Sequence, residues 1–246
     1  MGTGETVVSF PLPMPFRPSA FLSATLLASS VAGCTPPAVA DPFDDTGELI
    51  ALSGGDAGAA LACHTCHGVN GMGDGALVPR IAGLDAGYII RQLGFYADGQ
   101  RSHAQMSWSA GRLDLDERAA VAAYYAKMPT VLPPDVSSLG GQCAPPAIAA
   151  LYQLGSAERG LTSCASCHGE DGSGVGAGNP PLVGQPAPYL AKQLRDWREG
   201  KRYGDALGVM HAAATRLSED EINPLADYIA RDPGHSGRPR FPEECR

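Results

Sequence analysis

Two pentapeptides constrain this chain more than anything else in it: Cys63-His64-Thr65-Cys66-His67 and Cys164-Ala165-Ser166-Cys167-His168. Each reads Cys-x-x-Cys-His, the pattern that attaches haem c covalently. Two thioethers hold the haem, and the adjoining histidine turns back to ligate iron. A single match arises by chance in about one chain in a few hundred of this size. Two matches imply two haem c groups.

A second regularity divides the chain. A forward shift of 101 residues superposes Cys63 on Cys164, Cys66 on Cys167 and His67 on His168. It also carries Gly68 to Gly169, Gly71 to Gly172, Pro79 to Pro180 and Gly83 to Gly184. Tyr88 falls on Tyr189, Gln92-Leu93 on Gln193-Leu194, and Gly99 on Gly200. After a three-residue insertion the shift becomes 104 and takes Met106 to Met210, Arg112-Leu113 to Arg216-Leu217 and Tyr124 to Tyr228. This is a tandem duplication.

At 246 residues there is room for two such units and some tether. The 31 glycines and 21 prolines point to loop-rich domains, which a haem completes by supplying apolar faces to a small core. The formal charge of −8 argues against nucleic acid, whose phosphates want Lys and Arg, and allows docking on a basic protein partner.

The coarse elements repeat too. A short helix is expected before each haem motif, near residues 56–62 and 156–163, with a Gly-rich loop after it. Ala86 to Ala97 follows as an amphipathic helix with Ile89, Leu93 and Tyr96 on one face; Leu190, Leu194 and Trp197 form the matching stripe. A loop bearing Met106 or Met210 then precedes the last helix of each half. Ser218-x-x-Glu221 is a capping box, with Asp114-x-x-Glu117 its weaker equivalent. Ile222, Leu225 and Ile229 form the buried stripe of the final helix, which Pro224 is expected to distort.

The candidate iron ligands are His67 and His168 on the proximal side. Met106 and Met210 occupy matching places on the other, where a thioether favours ferrous iron and raises the potential. His103 and His211 lie near these methionines without a repeat partner and are expected at the surface. Pro79 and Pro180 are placed to offer a backbone carbonyl to each proximal imidazole. Arg80, Arg91, Arg112, Lys192 and Arg216 are candidates for pairing with haem propionates, solvated surface charge being the expected fate of most.

Three cysteines remain. Haem attachment takes place outside the bacterial cytoplasm, so an export signal is expected. Phe21 to Ala32 is an apolar run too short to span a bilayer, preceded by Arg17, with translation expected to begin at Met14. Val31-Ala32-Gly33-Cys34 resembles a lipoprotein cleavage box, which makes Cys34 a lipidated N-terminus and a membrane anchor. Cleavage after Ala38-Val39-Ala40 is the alternative. Cys143 and Cys245 are free to pair with each other in an oxidising compartment.

At this point the chain resembles a known family, the dihaem class I cytochromes c of the cytochrome c4 type. Cys164 to Gly169, Pro180-Pro181-Leu182-Val183-Gly184, Tyr189-Leu190-Ala191-Lys192-Gln193-Leu194, and Met210 leading to Arg216-Leu217-Ser218 carry the resemblance. It implies an all-α chain of two tandem cytochrome domains facing each other across a pseudo-twofold interface, each with one His/Met haem. The expected boundaries are a signal segment at 1–34, a tether at 35–46, domains at 47–133 and 148–234, a linker at 134–147 and a tail at 235–246. The implied role is single-electron transfer between respiratory partners in the periplasm. A quinol-cytochrome c oxidoreductase or a dehydrogenase would be donor, and a terminal oxidase or reductase acceptor. The chain would be a carrier, not an enzyme. Alternatives are a permanent electron-transfer subunit of a dehydrogenase or oxidase complex and a haem peroxidase-like enzyme.

Overall fold

The computed structural model describes residues 46–130 and 145–231, apart from Ala177 and Ala206. The leader with Cys34, the linker with Cys143 and the tail with Cys245 lie outside the described residues. Within them the chain is helical, and its only β features are isolated bridges.

Each half repeats five helices. In the first they are α1 (Gly47–Ser53), α2 (Cys63–His67), α3 (Ala86–Ala97), α4 (Ala104–Arg112) and α5 (Leu115–Ala126). In the second they are α6 (Pro146–Leu154), α7 (Ala165–His168), α8 (Ala187–Arg198), α9 (Val209–Thr215) and α10 (Glu219–Ala230).

Two expectations need correction. The leading helices lie upstream of the positions read from sequence: residues 55–57 and 59–61 form 3-10 turns, as do 157–159. Gly54, Gly55 and Gly58, all at positive φ, end α1 and prevent a regular helix there. The methionines, expected on loops, sit inside the short helices α4 and α9.

Helices α3 and α8 have the expected extents and faces. Asp85 caps α3 by accepting the Tyr88 N–H at 2.9 Å. Ile89 and Leu93 of α3, and Leu190 and Trp197 of α8, are buried. The Asp114 capping box is complete, with Glu117 N–H to Asp114 Oδ1 and Asp114 N–H to Glu117 Oε2, each at 2.8 Å. In α10 Glu221 takes the Ser218 N–H at 2.8 Å.

Helix α10 runs through Pro224. The carbonyl that loses its partner belongs to Asp220, an exposed residue, where water can take the bond. Ile222, Leu225 and Ile229 are buried as expected.

There are two cores, one per half. Ile50, Leu84, Ile89, Leu93, Leu113, Val121 and Tyr125 form the first. Ile148, Leu151, Tyr152, Leu190, Leu217, Ile222, Leu225 and Ile229 form the second. The halves meet along a polar seam where Arg101 and Arg202 pair in an antiparallel bridge. The backbone at Gly204, at φ 99°, presses so closely on Phe95 that a Cβ would lie 2.3 Å from the ring.

Candidate haem sites

Helix α2 holds Cys63, Cys66 and His67 within one turn and a half, and α7 with its N-cap Cys164 does the same for Cys167 and His168. The i, i+3 spacing brings the two sulfurs of each pair onto one helix face. None of the four is joined in a disulfide, so each pair is left for a thioether-linked group. Burial raises Cys63 and pushes Cys164 up to about 11.

Both histidines are buried, at 7% and 8% exposure, and both are oriented by a proline carbonyl. His67 Nδ1 lies 2.9 Å from the Pro79 oxygen, and His168 Nδ1 lies 3.0 Å from the Pro180 oxygen. A carbonyl only accepts, so Nδ1 carries the proton and Nε2 keeps its lone pair. Burial pushes both imidazoles down while the proline carbonyls pull them up, leaving neutral rings at neutral pH. That tautomer is the one an iron needs.

The loops after the histidines are built alike. Gly73 N–H bonds back to the His67 oxygen at 2.8 Å, and Gly174 N–H to the His168 oxygen at 2.7 Å. A Cβ at Gly73 would lie 2.3 Å from the Val78 oxygen, and one at Gly174 2.5 Å from the Asn179 oxygen. These glycines let the chain fold close enough for the proline carbonyl to reach its histidine.

Met106 is half-buried on α4 and packs against the first core. Met210 is half-buried near the start of α9, where its N–H is taken by Asp205. His103 is exposed and accepts the Met106 N–H at 3.5 Å. His211 is exposed, and its Nδ1 donates to the Trp197 oxygen at 2.7 Å. His64 is 3.3 Å from the Ala51 oxygen and ties α2 to α1.

Arg80 departs from the surface fate expected of most of the candidate cations. It is 1% exposed and lies in the seam, with one guanidinium nitrogen on the Ala82 oxygen and another 3.2 Å from the Val183 oxygen.

The sequence reading missed a cluster. Arg101 donates to Gln92 at 2.8 Å in its own half, and to Tyr189 at 2.9 Å and Gln193 at 2.8 Å in the other. Arg202 mirrors it, reaching Gln193 at 2.9 Å, Gln92 at 3.1 Å and Tyr88 at 3.4 Å. Arg101 also lies 4.6 Å over Tyr96, and Arg202 4.9 Å over Trp197. The same 101-residue shift that aligns the motifs pairs Arg101 with Arg202 and Tyr96 with Trp197. That was the available signal.

Among the described residues no carboxylate pairs with Arg80, Arg101 or Arg202. The Nε atoms of Arg80 and Arg202 are buried with no hydrogen-bond partner. Buried cations call for anions. The donor set, with paired thiols, a neutral imidazole and guanidinium groups lacking acids, therefore fits a thiol-linked metal macrocycle bearing carboxylates.

Comparison with known proteins agrees. The cytochrome c family model matches residues 152–231. The chain is 42% identical to the thiosulfate dehydrogenase electron acceptor of Stutzerimonas stutzeri, covering 75% of this chain and 85% of that one. It is 33% identical to cytochrome c4 of Pseudomonas aeruginosa, covering 73% and 90%. Among solved structures it resembles cytochrome c4 from Pseudomonas stutzeri, with a TM-score of 0.61, 30% identity and coverage of 73% and 96%. It also resembles thiosulfate dehydrogenase from Marichromatium purpuratum, with a TM-score of 0.63, 39% identity and coverage of 78% and 41%. The chain thus spans about two fifths of that longer protein. With two attachment motifs on two matching folds, the chain belongs to the dihaem class I cytochromes c of the cytochrome c4 type, which carry two covalent haem c groups and transfer electrons.

Proposed function

We propose that this cytochrome is a periplasmic electron acceptor for a thiosulfate-oxidising dehydrogenase. The observation that carries this is the ordering of the relatives. Identity is 42% and 39% to two proteins named thiosulfate dehydrogenase electron acceptor, against 33% and 34% to cytochromes c4 of similar coverage. A thiosulfate dehydrogenase structure containing a similar segment supports the same reading.

Haem c supplies reversible one-electron chemistry at iron. The chain's own residues do the rest. Cys63, Cys66, Cys164 and Cys167 anchor the groups. His67 and His168, oriented by Pro79 and Pro180, would each hold the iron of one group, with Met106 and Met210 as the second protein ligands. Arg101 and Arg202 would take carboxylates at the seam. Iron held by a histidine and a methionine would exchange electrons without making bonds, and two such groups in one chain would take two electrons in succession.

A second reading is a shuttle from a quinol-cytochrome c oxidoreductase to a terminal oxidase or reductase. The cytochrome c4 relatives, of whose length the match covers 89–90%, favour it. The test mixes oxidised holoprotein with a thiosulfate dehydrogenase catalytic subunit and thiosulfate and follows the haem spectrum. Rapid reduction of both haems supports the first reading. Reduction by a quinol-oxidising complex alone supports the second.

Export and lipidation at Cys34 complete the proposal. No helix among the described residues is long and apolar enough to cross a membrane. Attachment through a lipid at Cys34 requires none.

A further inference from the structure

A chain of hydrogen bonds links His67 to the other half of the molecule. Its Nδ1 donates to the Pro79 oxygen at 2.9 Å. The N–H of the same peptide unit belongs to Arg80, and it donates to Gln185 Oε1 at 3.0 Å in a buried setting. Gln185 Nε2 returns a bond to the Arg80 oxygen at 2.8 Å. One amide plane therefore stands between a glutamine of the second half and an imidazole of the first. Hydrogen bonds in series polarise one another, so engaging the N–H makes the carbonyl at the other end a stronger acceptor.

The second half lacks this relay. Pro180 accepts from His168 at 3.0 Å, but the next residue is Pro181, which has no N–H to engage. Leu84 stands where the repeat would place a counterpart to Gln185. The device works in one direction only.

We infer that Gln185 is a positioning residue for His67, and that through the 79–80 peptide it sets part of the redox potential of the first haem. The inference rests on the dihaem reading above. A stronger acceptor at Nδ1 makes Nε2 a better donor to iron, which favours the ferric state. Removing Gln185 weakens that acceptor and raises the potential of the first haem. His168 has no such connection, so the second haem stays where it was.

The experiment is a spectroelectrochemical titration of the full-length holoprotein and of Gln185→Ala. Paramagnetic NMR of the oxidised protein assigns each wave to a half and reads exchange of the His67 Nδ1 proton. Gln185→Met, which keeps the side-chain volume, is run beside it and stands in where the alanine variant does not fold. The expected result is an upward shift of the first potential, an unchanged second potential, and faster exchange of the His67 proton. Arg80→Met cuts the bonds to Ala82 and Val183 and removes a buried cation but leaves the Arg80 N–H in place; loss of positive charge disfavours the ferrous state, so this variant moves the first potential down or not at all, never up. Equal movement of both potentials, no movement, or the same rise in Arg80→Met would make Gln185 a packing residue and overturn the inference. A wild-type protein without two one-electron waves would instead overturn the dihaem reading itself.

Discussion

Arg101 and Arg202 stand at equivalent positions of the repeat, pair with each other in an antiparallel bridge, and each reach a tyrosine of the opposite half. Two like charges this close share Gln92 and Gln193 as acceptors. The seam is thus held by polar groups whose loss strands their partners.

Arg101→Leu should therefore cost about 2 kcal/mol or more in denaturant unfolding of the holoprotein, because it strips the half-buried Tyr189 hydroxyl of its charged partner and leaves buried Gln193 with Arg202 alone. Arg202→Leu should cost less, since Arg202 is only half-buried. The double variant should exceed the sum, because each single change leaves both glutamines one arginine donor and only the double strands them. Additive losses would mean that the two cations act independently.

Met106→Ala and Met210→Ala should each lower the potential of one haem and open it to cyanide, with half of the sulfur-to-iron charge-transfer absorption lost. An unchanged spectrum in either variant would exclude that methionine as a ligand.

Gly73→Ala and Gly174→Ala should each destabilise the protein by about 2–4 kcal/mol. Positive φ contributes about 1–3 kcal/mol and the backbone overlap a similar amount. Because the displaced segments carry the Pro79 and Pro180 carbonyls, each change should also disturb the spectrum of its own haem. Unfolding curves and oxidised spectra check both effects.

Glu221 offers a pH test. The Arg159 guanidinium, 2.8 Å away, holds its carboxyl below the usual range. A depressed carboxylate stabilises the fold above its unfolded pKa near 4.5, and that contribution fades as pH falls through the lower folded value. Arg159→Ala should therefore lower Tm slightly at pH 7, the pair being half-exposed, and leave it unchanged once Glu221 is protonated in both proteins. Thermal melts at neutral and strongly acidic pH decide this.

Cys34→Ser should move the protein from the membrane fraction to the soluble one. Retention in the membrane fraction would remove the lipid anchor.

Much of this was legible from the chain. Helices α3 and α8 were readable because Ile89, Leu93 and their mates recur at helical spacing over three turns. The α4 segment was not, because Ala110 is its only buried residue and no apolar stripe marks it. The helices before the haem motifs were misplaced because Gly54, Gly55 and Gly58 break the pattern where helix was expected. Arg80 was unreadable for a different reason: its main-chain partner, Gln185, is 105 residues away. No local pattern encodes such a contact.

The seam obeys the rule of an isologous dimer, in which residue i meets j and j meets i, yet both copies are encoded in one chain. A true homodimer cannot change one side of its interface without changing the other. Here Arg80 and Gln185 face each other across the seam, while the equivalent positions hold Pro181 and Leu84. Covalent fusion has freed each protomer-like half to be edited alone, and that is how two copies of one fold come to support their histidines differently.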